Sequence, residues 1–204
     1  LAVDEKAQPR SAVLLRDGGG VLFESSLPSL IESDLNGASD LFLQPANGGP
    51  IALMTSRMET LIPRTAAGIS SLGDHAFSMD GRYHLFTSTA GDLLPGDDNG
   101  APDVFLQDRQ EAFPRLVSVR ADGLGSGDGS SGQPALSDDG RYAAFISGAT
   151  NLVTEDTNGR PDLFRRDLVT GITTLVPSGF PSSGAVAAAA TFAMSRDGQR
   201  FVWL

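Results

Sequence analysis

The chain alternates short apolar runs with polar segments rich in glycine and aspartate. Typical runs are AVLL, VLFES and YHLFTS, which start at Ala12, Val21 and Tyr83. Apolar runs of this length between turn residues are typical of strands, and few stretches follow the period of an amphipathic helix. The pattern therefore predicts an all-β chain that turns often.

One segment recurs along the chain. SMDGRYHLF, SDDGRYAAF and SRDGQRFVW start at Ser78, Ser137 and Ser195, at spacings of 59 and 58 residues, and RDGGGVLFE at Arg16 is a degenerate copy. A second landmark, DxNGxxD, follows the phenylalanine of three of these segments by 11 residues. Two landmarks in fixed phase indicate a repeat architecture, in which each copy is one supersecondary unit.

Each repeat is expected to contain four antiparallel strands, two on either side of the DxNGxxD loop. The Asp-Gly pairs supply the positive φ values of tight hairpin turns, at Asp17-Gly18, Asp80-Gly81, Asp139-Gly140 and Asp197-Gly198. Such twisted units bury both faces by stacking on one another, as the blades of a β-propeller do. The aromatic residues at one phase of the second and third strands are predicted to form the core between blades: Phe23, Phe86, Phe145, Trp203, Phe42, Phe105 and Phe164.

The fold class predicted is thus an all-β, four-stranded-blade propeller, in one domain that spans 1–204. It holds about three full blades, at about 11–56, 74–119 and 133–177, and the first half of a fourth, at about 190–204. Propellers close with four to eight blades, so this number leaves open sheet edges. Three explanations stay open: a fragment of a larger propeller, a ring completed by a second chain, or closure of a four-bladed ring by residues 1–10.

Composition excludes several function classes. The 15 basic and 25 acidic residues give a net charge of −10, which argues against a nucleic-acid partner. No apolar run approaches the length of about 20 residues that a membrane span needs, so no membrane insertion is expected. The absence of cysteine removes disulfides and thiolate metal sites.

The three DxNGxxD loops are the best chemical candidates. Oxygen-bearing side chains that alternate around a glycine turn suit a hard cation such as Ca²⁺. The ligands predicted on this basis are Asp34, Asn36, Asp40, Asp97, Asn99, Asp103, Asp156, Asn158 and Asp162. The competing interpretation is a plain Asn-Gly turn, in which the aspartates accept hydrogen bonds from backbone amides.

Other motifs are weaker. The glycines at 127, 129 and 132 match GxGxxG, but they lead into a strand rather than a helix, so we expect a flexible loop between repeats. His75 is a candidate for a side chain that lines the central channel. Arg82 and Arg141, next to the hairpin turns, are expected to pair with nearby aspartates. The sequence shows no GxSxG elbow and no HExxH element.

The segment DGRYAAFISGATNLVTEDTNGRPDLFRRDLVTGITTLV resembles the repeat of TolB-like, WD-repeat-like bacterial β-propellers. This resemblance implies a propeller fold and a periplasmic or extracellular location. It favours a non-catalytic binding or scaffold module that offers its loops and central face to a protein or polymeric ligand. The alternative is the accessory or catalytic propeller of a hydrolase or lyase whose remaining part is absent from this chain.

Overall fold

The computed structural model describes residues 11–27, 29–31, 34, 37–55, 67–176 and 191–203. Within these ranges the chain forms strands, turns and loops but no helix. The strands are β1 Ala12–Leu14, β2 Gly20–Ser25, β3 Asp40–Pro45, β4 Ala52–Leu53, β5 Ser70–Phe77, β6 Tyr83–Ser88, β7 Asp103–Asp108, β8 Arg115–Leu116, β9 Ser131–Leu136, β10 Tyr142–Ser147, β11 Asp162–Asp167, β12 Thr173–Leu175, β13 Phe192–Met194 and β14 Phe201–Trp203. The prediction of an all-β chain is confirmed.

The strands follow one another as antiparallel meanders. β1 to β4 form a four-stranded sheet, β5 to β8 and β9 to β12 repeat the same order, and β13 pairs with β14. The second and third meanders join into one eight-stranded sheet, because β5 and β9 make a parallel pair at His75 and Ala135. The first strands of the second and third repeats therefore lie side by side.

The hairpins between first and second strands use a longer turn than the sequence predicts. In the second repeat, the Ser78 amide donates to the Tyr83 carbonyl at 3.0 Å, and the Gly81 amide donates to the Ser78 carbonyl at 3.1 Å. Gly81 has a φ of 69°, whereas among the described non-glycine residues only Gln133 has a positive φ. The expectation that Asp-Gly pairs supply positive φ at both positions is therefore wrong for the aspartates.

The aspartate of each turn instead organises the loop with its side chain. Oδ1 of Asp80 accepts hydrogen bonds from the Ser78 hydroxyl at 2.6 Å and from the Arg82 amide at 3.0 Å. The third repeat makes the same two bonds through Asp139, at 2.6 Å and 3.0 Å. These bonds lower the pKa of both carboxyl groups.

The turns also connect one repeat to the next. The Met79 amide donates to the Asp138 carbonyl at 2.7 Å, and the Asp138 amide donates to the Arg196 carbonyl at 2.8 Å. A Cβ atom added to Gly140 would lie 2.5 Å from the ring of Tyr83, so the tyrosine of the second repeat packs directly on the turn of the third. Gly140 is needed twice, for this close approach and for its φ of 72°.

Paired phenylalanines form the centre of each sheet. Phe86 stacks on Phe105 at 5.4 Å, and Phe145 stacks on Phe164 at 6.0 Å, with all four rings fully buried. The first repeat uses Phe42, also fully buried, against the half-buried Phe23 at 5.7 Å. The side chain of Trp203 lies outside the described part, although its backbone pairs with Phe192.

Candidate functional site

The DxNGxxD loops connect the second and third strands of each repeat. Their last aspartates, Asp40, Asp103 and Asp162, open β3, β7 and β11. Their first aspartates are all buried, with 1%, 4% and 8% of Asp34, Asp97 and Asp156 exposed. Asn36, the central predicted ligand of the first loop, lies outside the described residues.

Asn99 holds the second loop together through three hydrogen bonds. Its Oδ1 accepts from the Ala101 amide at 2.7 Å, and its Nδ2 donates to Asp103 Oδ2 at 2.8 Å and to the Gly127 carbonyl at 2.6 Å. Because a backbone amide engages its oxygen, the side chain acts here as a turn former and a donor to the carboxylate. This geometry matches the turn interpretation for the asparagine.

The third loop repeats part of this arrangement. Asn158 accepts from the Arg160 amide at 2.7 Å and donates to Asp162 Oδ2 at 2.6 Å. Oδ1 of Asp156 accepts weakly from the Asn158 amide at 3.4 Å. In this loop Asn158 is exposed, whereas Asn99 of the second loop is half-buried.

Hydroxyl groups support the last aspartate in two repeats. The Ser118 hydroxyl donates to Asp103 Oδ1 at 2.5 Å, and the Thr55 hydroxyl donates to Asp40 Oδ1 at 2.7 Å. The matching position of the third repeat is Pro177, which has no hydroxyl and lies outside the described residues. The carboxylate of Asp103 thus accepts from the Ser118 hydroxyl and from Asn99, whereas the donor described for Asp162 is Asn158.

Two carboxyl groups meet in the second loop. The Asp97 side chain lies against that of Asp103, and neither oxygen of Asp97 makes a hydrogen bond of good geometry. Burial, together with the negative charge of Asp103, raises the pKa of Asp97 to about 7. Burial also raises the pKa of Asp103, against the lowering effect of the bonds from Ser118 and Asn99. In the described ranges, no group of three or more His, Asp or Glu residues is placed to hold a metal ion.

A second feature is a cavity of about 590 Å³ between the second and third repeats, which we call the inter-repeat cleft. Thr87 and Ile146 contribute to its walls, Ser130 and Gln133 come from the start of the third repeat, and Pro102 and Pro161 precede β7 and β11. No charged side chain is among its described lining residues. Its volume lies within the range of about 300–1,000 Å³ that is usual for small-molecule sites.

Gln133 has the most unusual backbone of the cleft. Its φ is 51°, in the left-handed region that a Cβ atom disfavours. Gln133 and Pro134 together oppose Phe145, because the register between β9 and β10 shifts there. The side chain is exposed, and within the described ranges its amide forms no hydrogen bond. Strained residues and β-bulges of this kind concentrate near functional sites.

The remaining sequence candidates fall in different places. His75 is exposed and lines another cavity, of about 400 Å³, with residues of first strands from all four repeats, such as Val13, Leu136 and Met194. The glycine-rich stretch leads into β9 as predicted, but it is tightly packed: a Cβ at Gly129 would lie 2.8 Å from the backbone of Gly148. Close packing of this kind does not fit the expected flexible loop.

The predicted arginine pairs are present. Arg82 binds Asp108 with a shortest distance of 2.6 Å, and Arg141 binds Asp167 at 2.9 Å. Each guanidinium also lies over the tyrosine that follows it, at 4.7 Å and 4.9 Å from the ring centres. These contacts stabilise the turn end of each repeat, away from the DxNGxxD loops.

Sequence reasoning missed His84. The ring is 1% exposed, lies between Phe77 at 5.8 Å and Phe86 at 6.2 Å, and makes no hydrogen bond through either nitrogen. Burial lowers the pKa of His84 to about 3, and Arg109 contributes to this. Alignment of the repeats could have predicted that His84 is buried, because the residues at the same position of the first and third repeats are the apolar Val21 and Ala143.

No protein-family model matches the chain, and no curated protein matches it in sequence. Among solved structures, a protein assigned as a TolB from Agrobacterium tumefaciens superposes with a TM-score of 0.52 over 85% of this chain, at 17% identity. The chain spans 47% of the length of that protein. The likeness shows a TolB-like propeller fold.

Two enzymes are more distant neighbours. An oligogalacturonate lyase from Vibrio parahaemolyticus has a TM-score of 0.42 at 13% identity, over 85% of this chain and 42% of the lyase. Prolyl oligopeptidase B from Galerina marginata has a TM-score of 0.46 at 12% identity, over 94% of this chain and 22% of the peptidase. Both similarities are too low to support an argument about activity.

Proposed function

We propose that this chain is a non-catalytic binding module of the propeller type, which holds a protein or polymeric ligand. The observation that carries the proposal is the inter-repeat cleft, with its free Gln133 amide on a strained backbone. Strain of about 1–3 kcal/mol persists where the surrounding structure imposes it, often to orient a functional group. The amide can donate one hydrogen bond and accept another, which suits the backbone of an extended peptide.

The cleft also restricts the ligand by charge. Because its described lining residues are uncharged, a charged ligand group would lose water there without gaining a counter-charge. The hydroxyls of Thr87 and Ser130 can bond to polar groups, and Ile146 and Pro161 offer apolar contact. An uncharged segment with both polar and apolar groups is the ligand that fits.

The test is selection from a displayed random-peptide library, with a glycan array as a second probe. We expect uncharged peptides to be enriched, and to lose binding at least tenfold on Gln133→Ala. The control is Gln110→Ala, an exposed glutamine in the β7–β8 loop, which should bind as the native chain does. Enriched ligands that bind Gln133→Ala equally well, or no enrichment on either probe, would overturn the proposal.

We further propose that the described sheets are three four-stranded blades and the first half of a fourth. The ring is then completed by further blades in cis or by a second copy of the chain. The molar mass of the purified chain in solution separates these two routes, since only the second predicts a dimer. An intact monomer that binds no second copy would leave further blades in cis or closure of a four-bladed ring by residues 1–10.

The module is proposed to act in the periplasm or outside the cell, where Ca²⁺ can occupy the DxNGxxD loops. The buried Asp97 supports this cofactor, because neither of its carboxylate oxygens makes a hydrogen bond of good geometry and a buried carboxylate is stable only when it is paired, protonated or bound to a metal. Fractionation of the cells that make the protein tests the location directly. Recovery in the cytoplasmic fraction alone would refute it.

A further inference from the structure

Two buried polar side chains that make no hydrogen bond of good geometry lie next to each other at the second DxNGxxD loop. Asp97 is 4% exposed, and neither carboxylate oxygen makes a hydrogen bond of good geometry. Ser126, on the loop between β8 and β9, is 3% exposed, and its hydroxyl oxygen has no partner either. The two side chains neighbour each other, and Asp103 lies beside Asp97. Buried polar atoms without partners are rare and call for an explanation.

Two carboxylates in contact away from water repel each other and lose hydration. A cation between them removes both costs, because it neutralises the charge and coordinates the oxygens. Asp98, which is exposed on the same loop, adds negative potential close to Asp97. The negative potential of Asp97, Asp98 and Asp103 therefore favours a positively charged ligand at this position.

The backbone around these side chains is already fixed. The Ser126 amide donates to the Gly96 carbonyl at 2.9 Å, and Asn99 bonds the Gly127 carbonyl across the same gap. A Cβ at Gly125 would lie 2.5 Å from the Gly96 carbonyl oxygen, so the two loops touch through glycine backbone. Oxygen donors held by such contacts need little further ordering to bind an ion.

We propose that Asp97, Asp103 and Ser126 form one site for a single Ca²⁺ ion, which links the β6–β7 loop to the β8–β9 loop. The aspartates supply carboxylate oxygens, Ser126 supplies a neutral oxygen, and water completes the six to eight ligands that Ca²⁺ takes. Asn99 is not a ligand; it positions Asp103 through Nδ2. This inference rests on the calcium role proposed above and narrows it from nine residues in three loops to one site, and it is independent of the ligand of the cleft.

The third loop provides the matched control. Asp156 is 8% exposed, and only one of its carboxylate oxygens lacks a partner, because the Asn158 amide bonds the other. Asp162 accepts a hydrogen bond from the side chain of Asn158, which is exposed. Substitution at Asp156 therefore removes a similar carboxylate without touching the proposed site.

The experiment uses the full chain after removal of divalent ions, with calcium binding measured by calorimetry and thermal unfolding followed across a calcium titration. We expect one Ca²⁺ per chain and a melting temperature that rises with calcium. At 100 times the Kd, the folded-to-unfolded ratio should increase about 100-fold. Mg²⁺, which is smaller and demands stricter octahedral geometry, should give a weaker shift.

Asp97→Asn and Ser126→Ala separate the site from general effects. Asp97→Asn keeps the shape of the side chain, so the variant should fold, lose the calcium response and stay stable without calcium. Asp156→Asn should keep one bound ion and the full response. The proposal is refuted if Asp97→Asn responds to calcium like the native chain, if three ions bind, or if millimolar calcium leaves the native chain unchanged. Each of these outcomes leaves the peptide-selection result for the cleft untouched.

Discussion

The second and third repeats share their strand order, phenylalanine stack and arginine–aspartate pair, but they differ in their buried polar side chains. Both place stacked, fully buried phenylalanines on their second and third strands, and both bind an arginine to an aspartate at the turn end. The second repeat adds His84 to its core, where the third has Ala143. It also places Asp97 and Asp103 together under the glycine-rich loop. The strand geometry thus follows positions that the two repeats share. His84 stands at a position that differs between them, whereas Asp97 and Asp103 stand at positions that the third repeat fills with Asp156 and Asp162.

The largest effect should come from the shared phenylalanine stack and should be similar in both repeats. Phe105→Ala and Phe164→Ala each remove a fully buried ring that stacks on a neighbour. Each should lower the free energy of unfolding by about 3–5 kcal/mol. Urea unfolding of the two variants measures this. A cost below about 1 kcal/mol for either one would show that its repeat does not depend on the aromatic stack.

The next effect is acid sensitivity that belongs to the second repeat alone. His84 has a pKa of about 3 when folded, against 6.5 in an unfolded chain, so only the unfolded chain takes up a proton between these values. The histidine therefore costs nothing above pH 6.5. Below that pH, the contribution of His84 should lower the folded-to-unfolded ratio about tenfold per pH unit, while the raised pKa of Asp97 acts in the opposite direction. Unfolding of the native chain and of His84→Leu, between pH 7 and about pH 4.5, measures the difference.

His75→Leu is the control for this measurement, because it removes an exposed histidine from the neighbouring strand. That variant should keep the acid sensitivity of the native chain. If the free energy of unfolding of His84→Leu changes with pH in the same way as that of the native chain, His84 makes no contribution to the pH dependence.

A smaller difference should separate the two asparagines. Asn99→Ala removes the donor to Asp103 Oδ2 and to the Gly127 carbonyl in a partly buried site, and should cost about 1–3 kcal/mol. Asn158→Ala removes an exposed contact to Asp162 and should cost less than about 1 kcal/mol. Thermal unfolding in calcium-free buffer compares them. Equal costs would mean that the contact with Gly127 contributes nothing.

The smallest effect concerns the arginine pairs. Arg82→Ala leaves Asp108, which is 1% exposed, whereas Arg141→Ala leaves Asp167, which is 15% exposed. Both should lower the melting temperature slightly, and Arg82→Ala by more, because its carboxylate is harder to rehydrate. Added salt should reduce the difference for the exposed pair first. The reverse ranking would mean that burial of Asp108 does not matter.

The strand order and the core positions could be predicted from the sequence because they recur in each repeat. Spacing of the Asp-Gly and DxNGxxD landmarks predicted the strand order, and the phase of Phe105 and Phe164 predicted the core. The turn type was wrong in detail, since hairpins of two and of four residues share the same Asp-Gly signal. Burial at Gly140, by contrast, could not be foreseen, because the contact with Tyr83 joins residues of different repeats.

The candidate sites were only partly foreseeable. The pattern drew attention to Asp97 and Asp103, but not to Ser126, which lies on a loop with no fixed phase in the repeat. The cleft depends on how two repeats meet and on the strained Gln133, and local sequence does not encode either one. Contacts between residues that are distant in the chain, such as these, cannot be predicted from one sequence.

The contact of Tyr83 with Gly140 recurs one repeat later, where Tyr142 packs on Gly198. In both cases the tyrosine ring of one repeat packs on the glycine of the hairpin turn in the next repeat, where a side chain would clash. A gene duplication that copies such a unit would copy both halves of the joint, so an array could lengthen without new interface residues. The fourth repeat carries Arg200 where Tyr142 stands, and the first carries Gly20 where Tyr83 stands. Among the described residues, this contact therefore joins the second repeat to the third and the third to the fourth.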